Sequence, residues 1–514
     1  MLRKRVLVGT ISNYTNKIVT LIGLFFLTPF ILRELGRDLF GLWTLVGSVV
    51  AYGTLLDFGI ATAVTKYVAE YESQGEIEET NSLIATSLWL YSGIGLAVMV
   101  LSGALAYIFP LVFQVPPEQL EISMWMVLIS GIGLGISLPA ATGSAILKGL
   151  QRYDLANLVD TGGFLIYIFS VIAVLASGGG ILGIVAINIP LTIFLQIPTI
   201  WLIRRTAPEI RFSLRGAKKR LVHQVASFSS ALFVINVAIQ LQTKTDEIVI
   251  GGFMPIRNVT PYAIARRLGE TPKMLADQFI RVLLPVASQL NAEQNQGQLK
   301  NVYMASTRLG LASFLPVATG VVVLAAPFLT AWVGAAYAEY AYLVTILAIA
   351  SLFSTSQWPA GIILQGMAKH RYLAIISIVS GLANIILSLI LIQRIGLLGV
   401  ALGTLIPAIF EAVFFVLPYA MREIGVGLKE ALSDMILPAL LPALPMSAVL
   451  YALREVLRPD HLLSILLVAG IGLLVYLAGY LSMRATTMER EFGRELAVNL
   501  YQVARTRLKN VSGS

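Results

Sequence analysis

Glu72-Ser73-Gln74-Gly75-Glu76-Ile77 is a polar break between two long apolar runs, and Gln294-Asn295-Gln296-Gly297-Gln298-Leu299 repeats that break about 220 residues later. The match extends in both directions. Phe40-Gly41-Leu42 aligns with Tyr262-Ala263-Ile264, Ile146-Leu147-Lys148-Gly149-Leu150 with Ile363-Leu364-Gln365-Gly366-Met367, and Leu182-Gly183-Ile184 with Leu398-Gly399-Val400. Few of these positions are identical, so common order and spacing carry the repeat. In an apolar chain, a repeat of this length predicts two homologous membrane lobes around a shared site, a common way of building a transporter.

Composition points the same way. The hydrophobic share is 57% and the charged share 13%, against about 45–50% apolar in soluble domains. Runs long enough to cross a bilayer fall near 7–32, 39–66, 82–110, 121–147, 155–177, 181–203, 225–253, 259–289, 303–332, 337–366, 372–392, 396–420, 434–453 and 462–483. The reading is an all-α integral membrane protein of about fourteen transmembrane helices. Residues 1–203 and 225–422 form two pseudo-symmetric six-helix lobes, joined by a basic linker at 204–224. Two additional helices lie in 423–484, and a tail follows at 485–514. Arg3-Lys4-Arg5 precedes a first run too long for a cleavable signal, with no small-residue cleavage site after it. The chain contains no cysteine, which excludes disulfides, thiolate chemistry and cysteine-ligated metals.

The basic residues give an orientation. Arg3, Lys4 and Arg5 open the chain, Arg204, Arg205, Arg211, Arg215, Lys218, Lys219 and Arg220 fill the central connection, and Arg484, Arg490, Arg494, Arg505, Arg507 and Lys509 lie after the last span. Fourteen crossings put all of these on one side. The alternate connections Val112–Glu121 and Ser177–Gly180 carry no basic residue. The expected site is therefore the cytoplasmic membrane, multi-pass, with both termini inside. The net charge of +9 is mostly this inner-face bias, and no nucleic-acid partner is expected. Phe492, Leu496, Leu500 and Val503 recur at helical spacing, so the tail reads as an amphipathic helix on the inner leaflet, with a solvated tail as the alternative.

The connections exclude other classes. The longest, Arg204 to Gln224, leaves no room for a soluble catalytic domain, and there is no Walker-type glycine loop for ATP. Gly131-Ile132-Gly133-Leu134-Gly135 lies within a span, where small residues serve helix packing rather than a dinucleotide. His223, His370 and His461 are scattered at span ends and form no metal set. No cofactor or metal is called for.

The charges inside the spans need a reason, because each costs roughly 2.5–3.5 kcal/mol at bilayer depth. Arg266, Glu270, Lys273, Asp277 and Arg281 step by four, three, four and four, forming one stripe of the eighth span that must face protein or water. Pro272 inside the stripe predicts a kink or break. The seventh span adds Gln240, Lys244 and Glu247 on one face, with Asp246 beside them. In the first span Asn13, Asn16, Lys17 and Thr20 share a face. Asp57 descends to the depth of Lys17 in the second span, so the two are expected to pair. Asp160, Arg308 and Glu411 are further isolated charges. Each can be read as a structural ion pair. As a set they predict an aqueous cavity of mixed, net-basic charge.

Several segments carry a family resemblance: Thr28-Pro29-Phe30 with Leu35-Gly36, Phe40-Gly41-Leu42-Trp43, Leu55-Leu56-Asp57-Phe58-Gly59, and Lys66-Tyr67-Val68-Ala69-Glu70. Gly149-Leu150-Gln151-Arg152-Tyr153 and Asp246-Glu247-Ile248-Val249-Ile250-Gly251 add to it. Over about residues 1–420 the chain resembles the polysaccharide-transporter branch of the multidrug/oligosaccharidyl-lipid/polysaccharide exporter superfamily, which includes the O-antigen-unit flippases. Gly269-Glu270-Thr271-Pro272 departs from the mostly apolar pattern of that branch.

The resemblance implies a MATE-like fold and a non-enzymatic exporter that turns an undecaprenyl-diphosphate-linked oligosaccharide across the membrane by alternating access. A coupling cation, H⁺ or Na⁺, and polysaccharide assembly proteins are implied as partners. A diphosphate needs cationic partners, and Lys17, Lys244, Arg266, Lys273, Arg281 and Arg308 are candidates, with Arg281 expected to lead. Sugars need hydrogen-bonding groups, and Asn13, Tyr14, Asn16, Gln240 and Gln242 are candidates. Asp57 and Asp277 complete the set. Pro139, Pro190, Pro285, Pro316 and Pro407 are candidate bending points. A drug/cation antiporter of the same superfamily is the alternative, although its cavity should favour acidic residues. A membrane polymerase or glycosyltransferase would need a sizeable outer loop.

Overall fold

The computed structural model describes residues 2–280, 290–293, 295–367 and 369–483. Among the described residues every regular element is helical. In the first half these are α1 (Leu2–Gly53), α2 (Ile60–Gln74), α3 (Ile77–Val112), α4 (Leu120–Gly149), α5 (Tyr153–Ala176), α6 (Gly180–Ala186) and α7 (Asn188–Thr206). Then come α8 (Lys219–Phe253), α9 (Val259–Ile280), α10 (Gln296–Val323), α11 (Ala325–Val333), α12 (Ala341–Gly366), α13 (His370–Ile395) and α14 (Leu397–Phe410). Last are α15 (Leu417–Ile424), α16 (Ala443–Leu457) and α17 (Leu462–Ser482).

Eleven helical stretches among the described residues are long and apolar enough to cross a membrane, and the first, Ser12–Gln74, holds two of the expected spans. They meet at Gly36, where φ 75° and ψ 177° interrupt α1. The charge-bearing α8 and α9 are long helices as well. The arrangement is compatible with fourteen crossings.

Three local features recur at aligned positions of the sequence repeat. α4 and α12 end alike: Leu150 N–H donates to Ile146 at 2.9 Å and Arg152 N–H to Leu147 at 2.8 Å, and Met367 and Lys369 repeat both bonds to Ile363 and Leu364 at the same distances. Gly180 and Gly396, which precede the matched Leu-Gly-aliphatic triplets, both have φ 58°, a conformation that favours glycine. Phe40 and Tyr262, the aligned aromatics, are both fully buried.

Prolines explain most irregularities. The sixth span divides at Ile187, because Pro190 cannot donate to the carbonyl of Ala186. The π-turns Glu411–Val416 and Ala431–Ile436 each lie just before a proline, Pro418 and Pro438. Other prolines leave their helices unbroken: α4, α10 and α14 run through the expected bending points Pro139, Pro316 and Pro407, and Pro272 behaves the same way. The expected break does not occur there, and α9 runs through Pro272 as one helix, with Gly269 lying against Val344, Leu347 and Ala348 of α12.

Contacts divide the chain into two compact units, Met1–Ile264 with Ser377–Thr404, and Ala265–Ile376 with Leu405–Ser514. In the first unit, Tyr67, Leu83, Ile84, Tyr91, Ile146, Ile203, Leu221 and Val225 form one core, so α8 packs with α2, α3, α4 and α7. In the second, Phe314, Leu315, Ala439, Met446, Ile465 and Tyr476 join the two last spans to α10. The tail expected as an amphipathic helix at 485–514 lies outside the described residues.

Candidate substrate and cation sites

The first unit gathers most of the candidate residues. Asn157 donates to Asn13 Oδ1 at 2.5 Å and Asn16 donates to Thr161 Oγ1 at 2.8 Å, so this asparagine pair ties α1 to α5. Lys17, one turn from Asn13, is exposed. The expected Lys17–Asp57 ion pair is not formed. Asp57 accepts instead from the hydroxyl of the fully buried Tyr91 and, at 3.4 Å, from the backbone N–H of Ala61. Equal depth was not enough, because the second span breaks at this point and turns Asp57 toward α3.

That break was not expected. α1 stops at Gly53, a 3-10 turn covers Thr54–Asp57, and Phe58 (φ 48°) and Gly59 (φ 79°) are left-handed before α2 begins. The amide of Gln240 donates to the Ala51 carbonyl at 2.8 Å and to Thr54 Oγ1 at 3.1 Å. Tyr52 donates to the Gln240 carbonyl at 3.2 Å and contacts Thr245 Oγ1 at 2.5 Å. Gln242 is engaged elsewhere, with Ser377 O at 3.1 Å.

A second cluster lies deeper in the same unit. Asp246, 2% exposed, accepts from Tyr262 at 2.6 Å and from Thr404 at 2.9 Å, and Thr404 accepts from Asn384 at 3.0 Å. Asn384 Oδ1 and, one turn on, Ser388 Oγ are buried oxygens with no hydrogen-bond partner among the described residues. α14 crosses at backbone distance here: a Cβ on Gly403 would lie 2.2 Å from Ser388 Oγ. The place thus gathers buried oxygens, two of which, Asn384 Oδ1 and Ser388 Oγ, have acceptor capacity to spare. The sequence signal was faint, consisting of Asn384, Ser388 and Thr404 as solitary polar residues in apolar runs. Lys244 is half-buried beside it and Glu247 is buried.

Asp160 lines a separate cavity of about 180 Å³ between α4, α5 and α7, together with Ser144, Thr192, Gln196 and Thr199.

In the second unit the α9 stripe is sheltered. Arg266 is 7% exposed and donates to Glu270 at 2.8 Å, while Lys273 and Asp277 are half-buried. Arg281, the expected principal phosphate ligand, lies outside the described residues, as does Pro285. Arg308, 6% exposed, donates to the backbone carbonyl of Asp434 at 2.9 Å. Pro438, four residues on, has no N–H to offer that carbonyl, so the guanidinium serves in its place. Glu411 is buried at the head of the first π-turn.

Among the described residues the protein is all-helical, with eleven stretches apolar enough to cross a membrane and polar residues buried among them, the pattern of a multi-pass membrane transporter. The chain belongs to the polysaccharide biosynthesis protein family, which it matches over residues 2–291. It is similar to EpsK of Bacillus subtilis, described as an uncharacterized membrane protein, with 22% identity over 423 residues, 81% of this chain and 84% of EpsK. It is also similar to the probable low-salt glycan biosynthesis flippase Agl15 of Haloferax volcanii, with 23% identity over 268 residues, 52% of this chain and 56% of that protein. In fold it resembles the lipid II flippase MurJ in an inward closed conformation, with a TM-score of 0.72 and 17% identity across 95% of this chain and 99% of that one. An inward-facing MATE multidrug transporter follows at 0.66 and 17% identity, over 80% of this chain and 94% of that one.

Proposed function

We infer that this protein is a flippase that moves a polyprenyl-diphosphate-linked oligosaccharide from the inner to the outer leaflet of the cytoplasmic membrane. Membership of the polysaccharide biosynthesis family supports the reading, together with two relatives, one in sequence and one in fold, that are named flippases. The observation that carries it is a set of polar residues left at least partly exposed in otherwise apolar helices of the first unit: Lys17, Thr54, Asp57 and Gln240. Polar groups within a bilayer are tolerated where they face protein or a water-filled cavity. Cations of the cavity would meet the diphosphate, hydroxyl and amide groups would meet the sugars, and the polyprenyl chain would stay in lipid. The transport needs no covalent step. Alternating access between two homologous lobes, 1–203 and 225–422, would carry the head group across.

The Asp246 cluster is the proposed site of the coupling cation. A carboxylate, two hydroxyls and an amide oxygen from α8, α13 and α14 offer a hard monovalent ion such as Na⁺ the oxygen ligands it prefers. In proteoliposomes carrying a labelled undecaprenyl-diphosphate oligosaccharide, the wild type should deliver label to the opposite leaflet faster under a Na⁺ or H⁺ gradient. Asp246→Asn should keep basal flipping and lose most of the acceleration. No transfer by the wild type under any gradient would end the flippase reading. Equal acceleration in Asp246→Asn would end only the cation assignment.

Orientation is open to a direct measurement. The chain lacks native thiols, so single cysteines can be placed freely. One in Val112–Glu121 should label from outside intact cells and one in Arg204–Gln224 should not. The opposite pattern would reverse the proposed topology.

A further inference from the structure

The break in the second span is built rather than frayed. The Ala51 carbonyl, Thr54, Tyr52 and Asp57 each have a side-chain partner on α8 or α3. It lies midway along the crossing bounded by Gly36 and Gly75, so it sits near the bilayer midplane. Phe58 takes a left-handed conformation that bulky side chains rarely adopt, and backbone outliers of this kind concentrate at binding sites. Because of that conformation the ring stands out: Phe58 is 40% exposed, with its other side 5.2 Å from the ring of Phe233 on α8. One turn before it, Thr54 is exposed, and Asp57 is half-exposed between them.

Lipid contact would account for an exposed phenylalanine but not for its neighbours. A hydroxyl, a carboxylate and the Gln240 amide beside one aromatic face make a poor surface for hydrocarbon. A sugar ring suits it better. A pyranose presents an apolar C–H face that stacks on an aromatic ring, and a rim of hydroxyls that pair with carboxylate and hydroxyl groups. The geometry points to this break as a saccharide subsite, in which one sugar of the head group stacks on Phe58 and hydrogen-bonds Thr54 and Asp57. The assignment rests on the flippase reading and adds which residues hold sugar rather than diphosphate.

The test uses the full-length protein in nanodiscs and two probes, undecaprenyl diphosphate bearing N-acetylglucosamine and undecaprenyl diphosphate alone. Phe58→Ala should weaken binding of the glycosylated probe by about tenfold, the scale of losing one stacked ring, and leave the sugar-free probe unchanged. Phe58→Trp should retain the preference. Thr54→Val, which keeps the side-chain volume, should lower affinity for the glycosylated probe alone by a few-fold; it also serves if Phe58→Ala folds poorly. Equal loss for both probes, or unchanged affinity for the glycosylated one in Phe58→Ala and Thr54→Val, would overturn the subsite. A wild type that binds both probes equally would overturn it too, with the flippase reading left standing. A wild type that binds neither would instead count against that reading.

Discussion

Gly135→Ala should nearly abolish the folded protein, whereas Gly133→Ala, two residues away on the same helix, should be harmless. A Cβ on Gly135 would lie 2.6 Å from the Gly95 carbonyl oxygen, and one on Gly95 would lie 2.4 Å from that of Gly135. α3 and α4 therefore touch backbone to backbone, and neither side can yield by rotating a side chain. Gly131 adds to the same seam, where a Cβ would meet Ser102 Cβ at 2.1 Å. Overpacking a core usually costs about 1–3 kcal/mol, and a rigid backbone neighbour puts Gly135→Ala at or above the top of that range. At Gly133 the added carbon meets only Ile189 Cγ1 at 3.6 Å, an ordinary contact, and helix propensity favours alanine by about 1 kcal/mol. Yield and thermal midpoint of the two variants in detergent would test this. Equal behaviour would mean that the glycine seam does not hold α3 to α4.

Arg308→Ala is expected to act on stability before it acts on substrate. The guanidinium is buried and donates to a carbonyl that Pro438 cannot serve. Removing it leaves Asp434 O with one fewer donor, costing about 1–3 kcal/mol, and truncates a buried side chain, which adds a loss of similar size. The loss should appear as a lowered melting temperature and as easier proteolysis near the second π-turn, since α10 is then less firmly joined to residues 428–440. Lys300, paired with Glu430 at 2.7 Å, supports the same junction from a more exposed position, so Lys300→Ala should cost under about 1 kcal/mol. If Arg308→Ala melts like the wild type but loses affinity for lipid diphosphate, the side chain belongs to the substrate site after all.

Arg308 illustrates what a linear reading can and cannot reach. Its burial followed from bilayer energetics, because a lone arginine in an apolar run must turn away from lipid. Its partner did not follow, since a backbone carbonyl left unserved by a proline about 130 residues away has no signature near position 308. Asp57 was placed at the right depth but assigned the wrong partner. Hydropathy specifies depth along the bilayer normal, whereas pairing also depends on how each helix is rotated and where it breaks. The two left-handed residues Phe58 and Gly59 turn Asp57 onto Tyr91. Asp246 was noted only as adjacent to a polar face, and its cluster depends on the close crossing at Gly403 that brings Ser388 and Thr404 together.

The sequence by itself determined the membrane class, the long spans and the family. These depend on hydrophobic length and local backbone chemistry, which short stretches of chain carry independently. Only the tertiary structure decided which intramembrane polar groups meet: Asn13 with Asn157, Asp57 with Tyr91, Asp246 with Tyr262 and Thr404, and Arg308 with a main-chain oxygen. The physical reason is that a buried polar group takes whichever partner packing brings within about 3 Å, and packing is a property of the whole helix assembly rather than of any one helix.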